Sequence, residues 1–199
     1  MSLARSLAAG AALAVAFHAA QLAALVVRFE ALPNFVTLHD WPGNVARILR
    51  ATPALADVPA IAAEEWLLEI GFFNTSYGKG ITEWSLAVLP AKLALATLAG
   101  ALLAAAAGRL RALPPGACRR TGVAAAGAGT ALTALTGVTV SWVACCAAPS
   151  WVVGLAVLGM GVGTAFALLP WGPWLTMAGF ALLAAGVLLP AWAAQRGRG

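Results

Sequence analysis

Between Thr121 and Ala194 the chain is almost unbroken alanine, leucine, glycine and valine, interrupted only at Pro149 and at Pro170–Trp174 (PWGPW). A run of that kind constrains the fold more than any motif does, because hydrocarbon offers peptide groups no hydrogen-bond partner and tolerates only segments that satisfy themselves. Two further apolar stretches precede it, Leu7–Val27 between Arg5 and Arg28, and Ile81–Ala107. Each has the length of about 20 residues that crosses about 30 Å of hydrocarbon as a helix. The 62% hydrophobic and 10% charged content agrees, since an average soluble domain carries about 25% charged residues. The expected fold is an all-α integral membrane protein with about five apolar helical segments. Cutting at both proline sites gives five crossings and an external tail. Reading Thr121–Leu169 as one crossing, broken or re-entrant near Pro149, gives four and a cytoplasmic tail.

Charge orients these segments. Residues 1–28 read as a retained first transmembrane helix, 29–80 as an extracytoplasmic region, 81–108 as a second transmembrane helix, 109–120 as a basic loop, and 121–199 as a C-terminal helical membrane unit. The loop GRLRALPPGACRR carries four arginines and is expected on the cytoplasmic side. All seven acidic residues lie between Glu30 and Glu83. Within 29–80, three basic residues (Arg47, Arg50, Lys79) oppose six acidic ones, a net of 3 − 6 = −3, so this region should face outward. Prolines and glycines divide it into pieces, of which Asn44–Ala51 and Ala62–Phe73 read as short helices. The second has Trp66, Ile70 and Phe73 on one stripe and Glu65 and Glu69 on another, a pattern suited to the bilayer surface. Lys92 falls near a membrane boundary, about 25 Å from Arg109 at 1.5 Å per residue, and can snorkel outward. Arginines at segment ends make no single basic face, which argues against nucleic acid. The lipid bilayer is the expected partner, and the alanine-rich, arginine-over-lysine composition suggests the inner membrane of a high-GC bacterium. Small residues at Gly122–Gly129 and at Gly154, Gly159, Gly161 and Gly163 suit close helix contacts.

Within this apolar setting, Cys145 and Cys146 stand four and three residues before Pro149. Adjacent cysteines rarely form a strain-free disulfide, but thiolates are soft ligands for ions of the Hg(II), Cu(I) or Zn(II) type. Neighbouring side chains on a helix diverge by about 100°, so one ion could be shared only if the helix distorts. Pro149 provides a cause, because it removes a hydrogen bond to the Cys145 carbonyl and crowds it. The alternative is that both cysteines act as small buried hydrophobes. The stretch CCAAPSWVVGLAVLG, followed by PWGPWLTMAGFALLAAG, resembles the mercuric transport proteins of bacterial mercury resistance over roughly Ser141–Trp192. Their Cys-Cys-x-x-Pro helix corresponds to Cys145, Cys146 and Pro149, and their Pro-aromatic-x-Pro opening to Pro170, Trp171 and Pro173. The resemblance implies that a thiol pair accepts a soft metal ion (Hg or Cu) from outside and passes it inward. The second cysteine pair typical of that family is missing here, which leaves Cys118 as the one cysteine in the arginine-rich loop.

Two other residues join the candidate metal ligands. Cys118 is flanked by Arg119 and Arg120, whose charge favours the thiolate. His18, with Gln21 three residues on, sits in the first apolar segment, where a lipid-facing imidazole is costly. It suits a metal or haem ligand, or one helix-to-helix hydrogen bond. His39, Asp40 and Trp41 suit either a low-affinity ion-capture site or a turn in which Asp40 caps a helix. Eight tryptophans fall mostly at segment ends, as interfacial anchors do. There is no glycine-rich phosphate loop, nucleophile–base arrangement or zinc protease motif, so no enzymatic activity is expected. Beside soft-metal transport or delivery stands a second expectation: a non-catalytic accessory subunit of a larger membrane complex, or a homo-oligomer, with pigment or haem held through His18. A thiol-redox role ranks last, because redox pairs usually sit two residues apart.

Overall fold

The computed structural model describes residues 2–76, 78–111, 117–136, 142–144, 163–164, 167 and 169–196. The order of elements is α1 (Leu3–Phe29), β1 (Phe35–Leu38), α2 (Trp41–Ala51), α3 (Val58–Ala63), β2 (Leu68–Asn74), β3 (Ile81–Val88), α4 (Pro90–Arg111), α5 (Ala117–Thr136), β4 (Trp142–Ala144) and, after a short 3-10 turn at Leu169–Trp171, α6 (Gly172–Arg196). The protein is mostly helical. Three helices are long and apolar enough to cross a membrane: α1, α4 and the Gly172–Leu189 part of α6. The chain divides into a helical unit (residues 1–17, 95–139 and 166–199) and a sheet unit (residues 18–94 and 140–165).

The sheet corrects the all-α expectation. Its strands run antiparallel in the order β1-β2-β3-β4, three consecutive strands plus a three-residue fourth. The expected helix over 62–73 is absent, since α3 ends at Ala63 and Leu68–Asn74 is a strand. Likewise Ile81–Val88 is a strand, and the second apolar helix begins at Pro90. Both corrections have one cause. Leu68, Ile70 and Phe72 alternate with Glu69 and Gly71, and the register sets them opposite Val88, Leu86 and Trp84. One sheet face therefore carries an apolar stripe, which favours strand pairing over two isolated helices. Pro90, with its fixed φ and missing N–H, suits the first turn of the following helix.

This apolar face has its cover in the same unit. Leu25, Trp84 and Leu86 form its core, with Leu22, Val26, Phe29 and Phe72 packed against them. Trp84 is fully buried and its ring stacks with Phe29 at 6.4 Å. Leu22, Leu25, Val26 and Phe29 fall on one helical stripe, so the last two turns of α1 form the lid of the sheet. On the opposite face Phe35 lies over Gly71, where an added Cβ would come within 2.7 Å of its ring. The β2–β3 connection is held by Asn74, whose side chain accepts from the Ser76 N–H at 2.9 Å and donates to Glu83 at 2.9 Å. Gly78 and Gly80, at φ 55 and 84, supply the left-handed turn that other residues resist.

The helical unit packs by removing side chains. In the antiparallel contact of α1 and α4, a Cβ on Gly10 would run into the Thr97 carbonyl and within 2.6 Å of the Ala101 N. In the α5–α6 contact, a Cβ on Gly179 would lie 2.8 Å from the Thr133 N, one on Gly129 2.7 Å from the Leu183 N, and one on Gly186 3.1 Å from the Ala126 Cβ. Position rises along α5 as it falls along α6, so these helices are antiparallel too. Thr130 and Thr133 donate their hydroxyls to the carbonyls of Ala126 and Gly129 at 2.7 and 2.8 Å, which leaves the buried contact free of unsatisfied hydroxyls.

Candidate functional site

The thiol pair is the centre of the sequence-based site, and Cys145, Cys146 and Pro149 lie outside the described residues. Ala144, which immediately precedes Cys145, is described. Trp142, Val143 and Ala144 pair with Leu86, Ser85 and Trp84, so the residue before Cys145 is hydrogen-bonded into the sheet. On β3 opposite this strand, Ser85 and Trp84 are both fully buried, and Ser85 Oγ and Trp84 Nε1 have no hydrogen-bond partner among the described residues. Pro170 belongs to the short 3-10 turn and Pro173 to the first turn of α6, the proline-opened helix that the sequence predicts.

Cys118 is the second residue of α5. Antiparallel packing gathers at this end of the helical unit the start of α1 with Arg5, the end of α4 with Arg109 and Arg111, the start of α5 with Arg119 and Arg120, and Arg196 at the end of α6. The two units divide the charge accordingly. The helical unit has seven basic residues and no acidic one, 7 − 0 = +7; the sheet unit has five basic and all seven acidic, 5 − 7 = −2, and the two sum to the chain's +5.

His18 is 8% exposed on α1, and Gln21, one turn on, is 6% exposed. Each already engages a neighbouring group. Lys92 occupies the first turn of α4, at the end opposite Arg109.

His39 sits in a constellation that strand pairing creates. Its N–H donates to the Leu67 carbonyl at 3.0 Å, which continues the β1–β2 pairing and sets His39 beside Glu69. The imidazole Nε2 stands 3.8 Å from a Glu69 carboxylate oxygen, too far for a hydrogen bond, and meets the Trp66 ring edge-on at 5.8 Å. His39, Glu64, Glu65 and Trp66 line a cleft of about 240 Å³. Asn44 donates to Glu65 at 3.1 Å from the neighbouring α2. Asp40 takes the capping role: it precedes α2, and its carboxylate accepts from the Gly43 N–H at 3.1 Å. Among the described residues, no group of three or more His, Cys, Asp or Glu is placed to hold a metal ion. Sequence reading offered His39 with Asp40 and Trp41 and missed Glu69, because the two come together only through the strand register.

Comparison of the chain with protein-family models, with curated proteins and with solved structures finds no match.

Proposed function

We propose that this is a multi-pass bacterial inner-membrane protein that binds a soft metal ion of the Hg or Cu type through Cys145 and Cys146 on its extracytoplasmic side, for transport or delivery inward. The observation that supports this most is the pairing of β4 with β3. It leads the chain into the thiol pair directly from the unit that holds every acidic residue, while Cys118 opens α5 at the arginine-rich end. Excess arginine marks the cytoplasmic side, so in this reading Cys118 opens inward. The acidic unit would raise the local concentration of cations, and soft thiolates would select among them. Antiparallel α5 and α6, together with α1 and α4, support four crossings with both chain ends inside. The resemblance to mercuric transport proteins points the same way.

Metal content per chain tests the reading. Purified protein loaded with Hg(II) or Cu(I) in detergent should retain about one ion per chain at the thiol pair. The Cys145→Ser, Cys146→Ser double variant should lose it, and unchanged stoichiometry would refute the assignment. A role as accessory subunit draws on a different observation: on α5 Val123 is exposed, and an added Cβ on Gly127 meets nothing within 4 Å among the described residues. Small residues of this kind accept another helix in lipid. A stable set of co-purifying subunits after gentle solubilisation would favour that reading.

A further inference from the structure

We propose that β1 and α2 form a second membrane-contact surface, bedded in the headgroup layer of the leaflet beside the C-terminal end of α1 and drawn there by anionic lipid. Val36 and Leu38 are 65% and 78% exposed and project from the same sheet face as Trp84 and Leu86. That face is covered by α1 at its centre and bare at β1, an edge strand with no charged residue in its sequence FVTL. Edge strands in water are usually guarded by lysine, proline or a bulge, since unpaired backbone and apolar side chains together invite association. A headgroup layer removes that need.

The neighbouring helix has the matching character. Viewed down its axis, α2 carries Trp41, Val45, Ile48 and Leu49 on one arc, of which Leu49 is exposed and the other three half-buried, and the exposed Arg47 and Arg50 on the other. Arg47 and Arg50 are the only basic residues between Arg28 and Lys79, in a unit otherwise rich in carboxylates. A short helix with an aliphatic and tryptophan face and a basic face lies in the interface plane, its apolar residues toward the acyl boundary and its cations on lipid phosphates. Chain length keeps it there: only residues 30–34 separate α1 from β1, so β1 starts within about 20 Å of the point where α1 ends. With 27 residues, α1 is about 40 Å long against about 30 Å of hydrocarbon, so its last turns, which carry the sheet, stand at headgroup level. These residues are therefore within reach of the headgroup layer.

The test uses the full chain with its three cysteines replaced by serine and single cysteines introduced by Leu38→Cys, Leu49→Cys or Thr75→Cys, each labelled with an environment-sensitive fluorophore. The proteins are reconstituted in vesicles of equal parts phosphatidylcholine and phosphatidylglycerol. Labels at 38 and 49 should be quenched by lipid-attached nitroxide and protected from aqueous iodide, whereas the label at 75, on the β2–β3 turn, should behave in reverse. Adding Arg47→Glu and Arg50→Glu should raise iodide access at 49 by about fivefold or more, since each basic residue near an anionic surface is worth about that factor. Iodide access at 38 and 49 equal to that at 75 overturns the proposal. So does protection that appears in detergent without lipid and grows with protein concentration, because a second copy of the chain then covers the strand.

Discussion

The two units bury surface by opposite means. The helical unit works by subtraction: Gly10, Gly129, Gly179 and Gly186 leave backbones in contact. The sheet unit works by addition, filling the space under its strands with Trp84, Leu25, Leu86, Phe29 and Phe72. Two different solvents favour these two strategies. In hydrocarbon, an apolar side chain gains nothing by leaving lipid, so helices associate through close packing. In contact with water, removal of apolar area is itself the driving force, at about 25 cal/mol per Å². Substitutions that exchange the two strategies should therefore fail in different ways.

The largest effect belongs to the sheet unit. Trp84→Ala removes the ring that meets Leu25, Leu86 and Phe29, and should destabilise that unit by about 3–5 kcal/mol, as large-to-small core changes do. Thermal unfolding in detergent, followed by near-ultraviolet circular dichroism, should lose its aromatic signal at lower temperature while helix content persists. Trp84→Phe should cost much less, because it keeps most of the volume and removes a buried indole N–H that has no partner among the described residues. A silent Trp84→Ala would break the comparison, because the sheet would then not depend on filled volume.

The helical unit should respond next, and in the reverse sense. Gly10→Val drives a side chain into the Thr97 carbonyl and the Ala101 backbone, neither of which can swing away. Overpacking of this kind costs about 1–3 kcal/mol and separates α1 from α4. The same chemistry at Gly127 meets nothing among the described residues, so Gly127→Ala should be neutral or slightly stabilising through helix propensity. Denaturation midpoints of the two variants in the same detergent decide the matter. Equal shifts would mean that glycine content, and not the crossing points, governs the unit.

How much of this was readable in the chain follows from the same contrast. Lipid permits so few backbone solutions that the apolar runs alone marked α1, α4 and α6, and Pro170–Pro173 marked the start of the last. The strands were hidden because Ala62–Phe73 satisfies two periods at once. Trp66, Ile70 and Phe73 follow the helical spacing, while Leu68, Ile70 and Phe72 follow the strand spacing, and only the partner Trp84, Leu86 and Val88 decides between them. Treating Pro90 as a residue within a helix that began at Ile81 concealed that partner. The Asp40 cap was legible, since an acidic residue before Trp-Pro-Gly is a local signal. The His39–Glu69 cleft was not, because two residues thirty apart are brought together by register alone.

The smallest effect probes the cap at the start of α2. Asp40 accepts from the Gly43 N–H, and a Cβ on Gly43 would strike the Asp40 carboxylate, so cap and glycine are a matched pair at the start of α2. Asp40→Ala leaves the first-turn donors to solvent and should cost about 1 kcal/mol. Because the helix is short and has no buried residue, the loss should appear as local fraying, not as global unfolding. Hydrogen exchange of the α2 amides should then accelerate by about fivefold while those of β2 and β3 stay unchanged. Asp40→Asn keeps an accepting oxygen and should restore most of the protection. Gly43→Ala displaces only the end of a flexible side chain, so it should do little alone and nothing further once Asp40 is alanine. Acceleration that spread into β3 would instead tie α2 to the sheet's own stability.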